Sequence, residues 1–174
     1  ATLIDVPNAG VKTIAGLEQF TNLTEIRLNG NALTSIDLTP FTKLERFNGI
    51  ENPDLAEVNI KGLRSLAYIH CHDTALSSLD LSDAVSIVEL HLFRTNLETL
   101  DLTYCPALSI LNLDDTPIRS VDVSDKQSLT YLNVSNCKNI ESVDVKGCTS
   151  LAEFYVGTSS LKEIDASGLP SVHT

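Results

Sequence analysis

The 174-residue chain has no tryptophan and no methionine, and aromatic residues make up only 5% of it. Any core must therefore be built from leucine, isoleucine and valine, which the 43% apolar fraction supplies in plenty. Basic residues are scarce: 12 Lys and Arg stand against 23 Asp and Glu, for a formal net charge of −11. Phosphate backbones are held by Lys and Arg, so this balance points away from nucleic acid. It points away from anionic membrane surfaces for the same reason. No run of 18 apolar residues occurs, so membrane insertion is not expected. Ala1 rather than Met stands first, and a signal peptide is expected to have been removed before it. The four cysteines show no zinc-ligand spacing.

What the chain does have is a repeat. Residues 87–107 read IVELHLFRTNLETLDLTYCPA, with apolar residues at places one, four, six, eleven, fourteen and sixteen: Ile87, Leu90, Leu92, Leu97, Leu100 and Leu102. The same frame recurs every 21 or 22 residues. It divides a single domain, 1–174, into about eight coils: 1–22, 23–43, 44–65, 66–86, 87–107, 108–128, 129–150 and 151–171, with 172–174 opening another. The first coil is worn. The third is the most irregular, with Gly49 at the apolar sixth place and one residue added near Asn52-Pro53-Asp54.

Places four and six alternate with polar neighbours, and so do places fourteen and sixteen, as in Leu79-Asp80-Leu81. That alternation predicts two short strands per coil. About four residues remain for the last connection, too few for a useful helix. A single coil cannot bury its apolar side, so stacking must do it. In the best-formed coil, Leu90, Leu92, Leu97, Leu100 and Leu102 should be almost fully buried.

The frame LxxLxLxxTxLxxLDLS resembles the leucine-rich repeats of bacterial extracellular proteins, both the internalin kind and the shorter kind of Bacteroidetes surface proteins. Residues 14–23, IAGLEQFTNL, are similar to their opening units. The resemblance covers nearly the whole chain. It implies an α/β-class, right-handed solenoid with a parallel sheet on its concave face and little helix. It further implies secretion or a cell-surface location, and non-catalytic binding of a protein or glycan.

Three features stand out from the scaffold. Cys71 replaces a core leucine, Cys137 joins Asn31, Thr74, Thr95, Thr116 and Ser159 at place nine, and Cys105 and Cys148 lie two coils apart. At about 4.8 Å per coil the last two are roughly 10 Å apart, beyond disulfide reach. Buried free thiols are expected. An acidic column (Asp37, Asp80, Asp101, Asp122, Asp144, Asp165) should bond backbone N–H groups or the Ser and Thr two residues on, rather than form a calcium-binding edge.

The third feature is the outward face of the first strand of each coil, the concave face in the resemblance. It carries Tyr68, His70, His72, Asp73, Glu89, His91, Phe93, Arg94, Asn112, Asp114, Tyr131 and Tyr155. Clustered exposed aromatics mark contact surfaces, and these twelve residues are the expected binding site. Asp73, Arg94 and Asp115, at place eight of successive coils, should form a charge ladder. No catalytic constellation is present and no enzyme or cofactor is expected. No metal is assigned; the residues that would hold one are His70, His72 and His91, with water or Asp114 completing the set. The competing reading is a spacer or stalk of a larger surface protein. An incomplete coil at Val172-His173-Thr174 would leave a sheet edge open to end-to-end self-association.

Overall fold

The computed structural model describes residues 1–167 and 169. Among them run thirteen strands of three residues each: β1 (Leu3–Asp5), β2 (Glu25–Arg27), β3 (Ser35–Asp37), β4 (Arg46–Asn48), β5 (Glu57–Asn59), β6 (Tyr68–His70), β7 (Glu89–His91), β8 (Ile110–Asn112), β9 (Ser120–Asp122), β10 (Tyr131–Asn133), β11 (Ser142–Asp144), β12 (Glu153–Tyr155) and β13 (Glu163–Asp165). No helix occurs among the described residues. The fold is a parallel β-solenoid of about eight turns.

One strand from each coil enters an eight-stranded parallel sheet in the order β1-β2-β4-β6-β7-β8-β10-β12. The register equates places three, four and five of neighbouring coils, so Tyr68 pairs with Glu89, Ile69 with Leu90 and His70 with His91. The middle residue of each trio points inward: Ile26, Phe47, Ile69, Leu90, Leu111 and Leu132 are 0–1% exposed. The flanking residues point out, and one face of the sheet thereby becomes a continuous polar and aromatic surface.

The second edge is less regular than the alternation predicts. It forms a two-stranded sheet, β3-β5, and a three-stranded one, β13-β11-β9. In the fourth and fifth coils, segments 78–80 and 99–101 form no strand. This corrects one core expectation. Leu90, Leu92, Leu97 and Leu102 are buried, but Leu100 is only partly so and packs against the core from its rim. It sits at the break between the two small sheets, where a pocket of about 290 Å³ opens beside Leu100, Leu102 and Asp122.

The irregular third coil has a packing cause. Phe47, 1% exposed, replaces the usual aliphatic residue at place four. Its ring fills the space that a sixth-place side chain would occupy: a Cβ on Gly49 would lie 2.7 Å from Phe47 Cζ. The large-plus-nothing pair stands in for two leucines.

Just past each strand of the large sheet the backbone reverses at place eight, which has positive φ in every coil: Asn8, Gly30, Glu51, Asp73, Arg94, Asp115, Asn136 and Thr158. One residue later, place nine satisfies the exposed carbonyl of the turn. Thr74, Thr95 and Thr116 donate their hydroxyls to the carbonyls of Cys71, Leu92 and Leu113 at 2.7–2.8 Å. Cys137 instead aims its thiol at Leu113 O, 3.1 Å away in the preceding coil. All four cysteines are free and buried. Burial pushes the Cys71 thiol up to about 12 and that of Cys105 to about 11, so neither is a nucleophile at neutral pH.

The acidic column is structural. Asp37, Asp80, Asp101, Asp122, Asp144 and Asp165 each accept a hydrogen bond from the backbone N–H two residues ahead, at 2.9–3.1 Å. Asn59 fills the same place with the same bond to Lys61 N. Bonds from Ser82, Thr103, Ser124 and Ser167 hold the carboxyls of Asp80, Asp101, Asp122 and Asp165 below their ordinary range. A depressed folded-state pKa gives stability that is present above the unfolded pKa and is lost as pH falls through the folded one. Thermal melts should therefore show the midpoint dropping as pH is lowered below about 4. The triple variant Asp80→Asn, Asp101→Asn, Asp122→Asn keeps the acceptor, as Asn59 does, and should show a smaller drop. Equal drops in both proteins would remove the turns from the account.

The expected open edge at Val172-His173-Thr174 lies outside the described residues.

Candidate functional site

The outward face of the large sheet gathers the sequence-predicted residues into three groups. The first lies at the junction of β6 and β7. His70 and His91 are register partners, and their rings meet edge to face with centroids 4.5 Å apart. Glu89, two residues before His91 on the same side of β7, places its Oε2 3.8 Å from His70 Nε2 and 3.9 Å from His91 Nε2. Burial is the main cause that lowers the pKa of both rings, so they are neutral at neutral pH. The Nε2 of His70 is buried and has no hydrogen-bond partner among the described residues. Tyr68 adjoins this group, its ring covered by the Arg46 guanidinium at 3.6 Å.

The second group sits one step further along the coil, in the turn. His72 stacks on Phe93, with centroids 3.9 Å apart and planes within 12° of parallel. Arg94 also lies over that ring, its guanidinium carbon 4.6 Å from the centroid. Its guanidinium grips Asp73 with two hydrogen bonds, one of them Nη2 to Oδ2 at 2.7 Å. Asp73 also meets His72 Nδ1 at 2.8 Å. Arg94, and after it His72, holds the Asp73 carboxyl down at about 2. Four side chains from two coils are thus locked to one another.

The third group is Tyr131 and Tyr155, tilted at 47° with centroids 5.6 Å apart. The Tyr155 hydroxyl donates to Glu153 Oε2 at 2.8 Å, and the ring is 46% exposed. Between the groups, Asn112 accepts a bond from Asp114 N, and Asp114 accepts one from Asn136 Nδ2 at 2.8 Å.

Two sequence expectations need correction. The histidines do not converge as a set of His70, His72 and His91. Strand β6 ends at His70, and Asp73 has φ 57°, so His72 lies in the turn and is committed to Asp73 and Phe93. Asp114 is committed to Asn136 instead of the histidines. The three side chains whose ligating atoms lie within 4.8 Å of one another are His70, Glu89 and His91. The charge ladder has one rung, Asp73 to Arg94. The guanidinium fork is spent on Asp73, and Asp115 forms no ion pair among the described residues.

The outward face also carries features before Tyr68, where the sequence reading begins. A cavity of about 470 Å³ runs along the same face through the first four coils, lined by Glu25, Arg27, Arg46, Asn48, Tyr68 and His70 among others. Arg27 pairs with Glu25 at 2.7 Å and Asp5 at 3.4 Å. Arg27 and Arg46 occupy places five and three, the places that flagged His91 and Glu89. The frame held the signal for them.

No protein-family model and no curated protein sequence matches this chain. Solved structures do. The chain resembles an internalin, InlF, from Listeria monocytogenes str. 4b F2365, at 18% identity and a TM-score of 0.57, covering 99% of this chain and 67% of the other. It resembles the leucine-rich repeat domain of the type III effector XopL at 18% identity and a TM-score of 0.55, covering 88% and 63%. It also resembles the TLR13 chain of a complex with single-stranded RNA, at 16% identity and a TM-score of 0.69, covering 93% of this chain and 30% of that one. The chain thus spans from about a third to two thirds of the length of these proteins. The likeness establishes the leucine-rich-repeat fold.

Proposed function

We propose that the chain is a non-catalytic binding module that recognises a protein or glycan through the outward, concave face of its large sheet. The observation that carries this reading is the interlocked patch of His72, Phe93, Arg94 and Asp73. Its side chains are ordered before any partner arrives, so binding costs less entropy. Aromatic and arginine anchors of this kind dominate interface energies. Tyr68, Asn112, Asp114, Tyr131 and Tyr155 extend the surface on either side.

The ligand is not nucleic acid on this reading. TLR13 was solved with RNA, but this chain's net charge of −11 disfavours a polyphosphate partner. A secreted or cell-surface location is consistent with thiols that are buried and protonated and so resist oxidation.

A glycan array and a pull-down from cell-surface extracts, each run with wild type and with Phe93→Ala, test the proposal. Tyr104→Ala serves as the control, since Tyr104 is 49% exposed and lies outside the strands of the large sheet. A ligand retained by wild type and the control, and weakened about tenfold or more in Phe93→Ala, is the expected result. Equal loss in both variants, or capture of nothing, would favour a spacer.

A further inference from the structure

We propose that His70, Glu89 and His91 form a site for a single divalent transition-metal ion of the zinc class, on the outward face of the sheet. The three ligating atoms come from adjacent strands with fixed register, two of them from β7 alone. They already lie within 4.8 Å of one another. A tetrahedral zinc ion with bonds of about 2.0–2.1 Å needs ligand atoms about 3.3 Å apart. The observed separations of 3.8 and 3.9 Å exceed that by about half an ångström. Rotation within the Glu89 side chain, 28% exposed and with no Lys or Arg partner among the described residues, closes those two gaps, and turning the two imidazole rings brings their nitrogens, within 4.8 Å of each other, to the same spacing.

Chemistry selects the ion. Two imidazoles and one carboxylate make a borderline donor set, suited to zinc, cobalt or nickel and poor for calcium or magnesium, which take oxygen. The unpartnered state of His70 Nε2 also points to a ligand. A buried ring nitrogen aimed at a carboxylate 3.8 Å away is too distant for a hydrogen bond, and it carries the desolvation cost of an unmet polar atom. An ion between the two satisfies both. His72 is excluded by its bond to Asp73 and its stack on Phe93. The opposing charge is Arg46, whose guanidinium covers the Tyr68 ring and disfavours a positive charge on His70. Three protein ligands leave a fourth position for water. The inference stands apart from the binding reading above, since it needs no macromolecular partner.

Calorimetric titration of the untagged, chelator-stripped chain with zinc chloride at neutral pH tests it, alongside cobalt(II) absorption. One equivalent should bind, and cobalt should show the intense visible bands of a tetrahedral site. His70→Ala, His91→Ala and Glu89→Gln should each weaken zinc at least about tenfold and bleach the cobalt bands, with circular dichroism unchanged. His72→Ala should leave affinity within about twofold. If an alanine variant fails to fold, Glu89→Gln, which keeps the side chain's shape, carries the result. The absence of binding by wild type would overturn the site, and so would a loss in His72→Ala equal to that in His91→Ala.

Discussion

Replacing Leu92 by alanine should lower the unfolding free energy by about 2–5 kcal/mol, read from urea denaturation. Leu92 is 0% exposed and stands in the sixth-place column between Cys71 and Leu113, themselves both at 0%. Truncation removes its methyl groups from water-free contact and leaves a cavity between coils. Strand pairing on both sides of β7 hinders the walls from collapsing into it. In a repeat array stability is a sum of coil and interface terms, and this residue contributes to two interfaces at once. Leu100→Ala supplies the contrast. That side chain is half-buried at the break in the second edge, so its loss should cost about 1 kcal/mol. A Leu92 cost below about 1 kcal/mol, or equal costs at both positions, would mean that the inward register is misassigned.

The contrast between these two leucines shows what the sequence could and could not reveal. Both occupy apolar places of the same coil, and periodicity alone ranks them together. Periodicity reports which side a residue faces, and it was right about β2, β6, β7 and β8 because places three to five repeat with their alternation intact. It does not report whether the next coil supplies a hydrogen-bonding partner, which is what fails at 99–101. The site shows the same divide. His70 and His72 both count as outward by the two-residue rule, but that rule holds only while the strand lasts. β6 ends at His70, and by Asp73 the backbone has turned to φ 57°. Glu89 was legible as a contact residue and not as a partner for the histidines, because its reach across to β6 depends on side-chain torsions that no spacing encodes. Arg46 was legible in the same way, at the outward third place of its coil, but a lone arginine there does not announce that it covers Tyr68. With Phe47 and Gly49 taken as one packing unit, that coil is in register with the rest.

The same coil holds the polar residue whose loss should be felt most. Asn52→Leu should destabilise the protein by about 2–5 kcal/mol despite the gain in apolar surface. Asn52 is 0% exposed, the most deeply buried polar side chain among the described residues. Its amide nitrogen donates to Gly49 O at 3.0 Å within its own turn and to Leu28 O at 2.9 Å in the coil before. Its Oδ1 accepts from Leu33 N at 3.1 Å, also in the coil before. Leu28 O keeps a second donor in Asn31 Nδ2 at 2.8 Å, so leucine at position 52 orphans chiefly Gly49 O and the Leu33 N–H. Each unmet buried backbone group costs about 1–3 kcal/mol. Asn52→Thr separates the two terms. A threonine hydroxyl at this place can reach the carbonyl three residues back, as Thr74 does with Cys71 O, but it does not replace the bond from Leu33 N. Its cost should therefore fall at roughly half that of leucine, about 1–3 kcal/mol, for the one group left unmet. Denaturation of the two variants side by side gives the order. If threonine costs as much as leucine, the link to the second coil alone matters. If neither costs more than about 0.5 kcal/mol, the turn satisfies its backbone groups without Asn52.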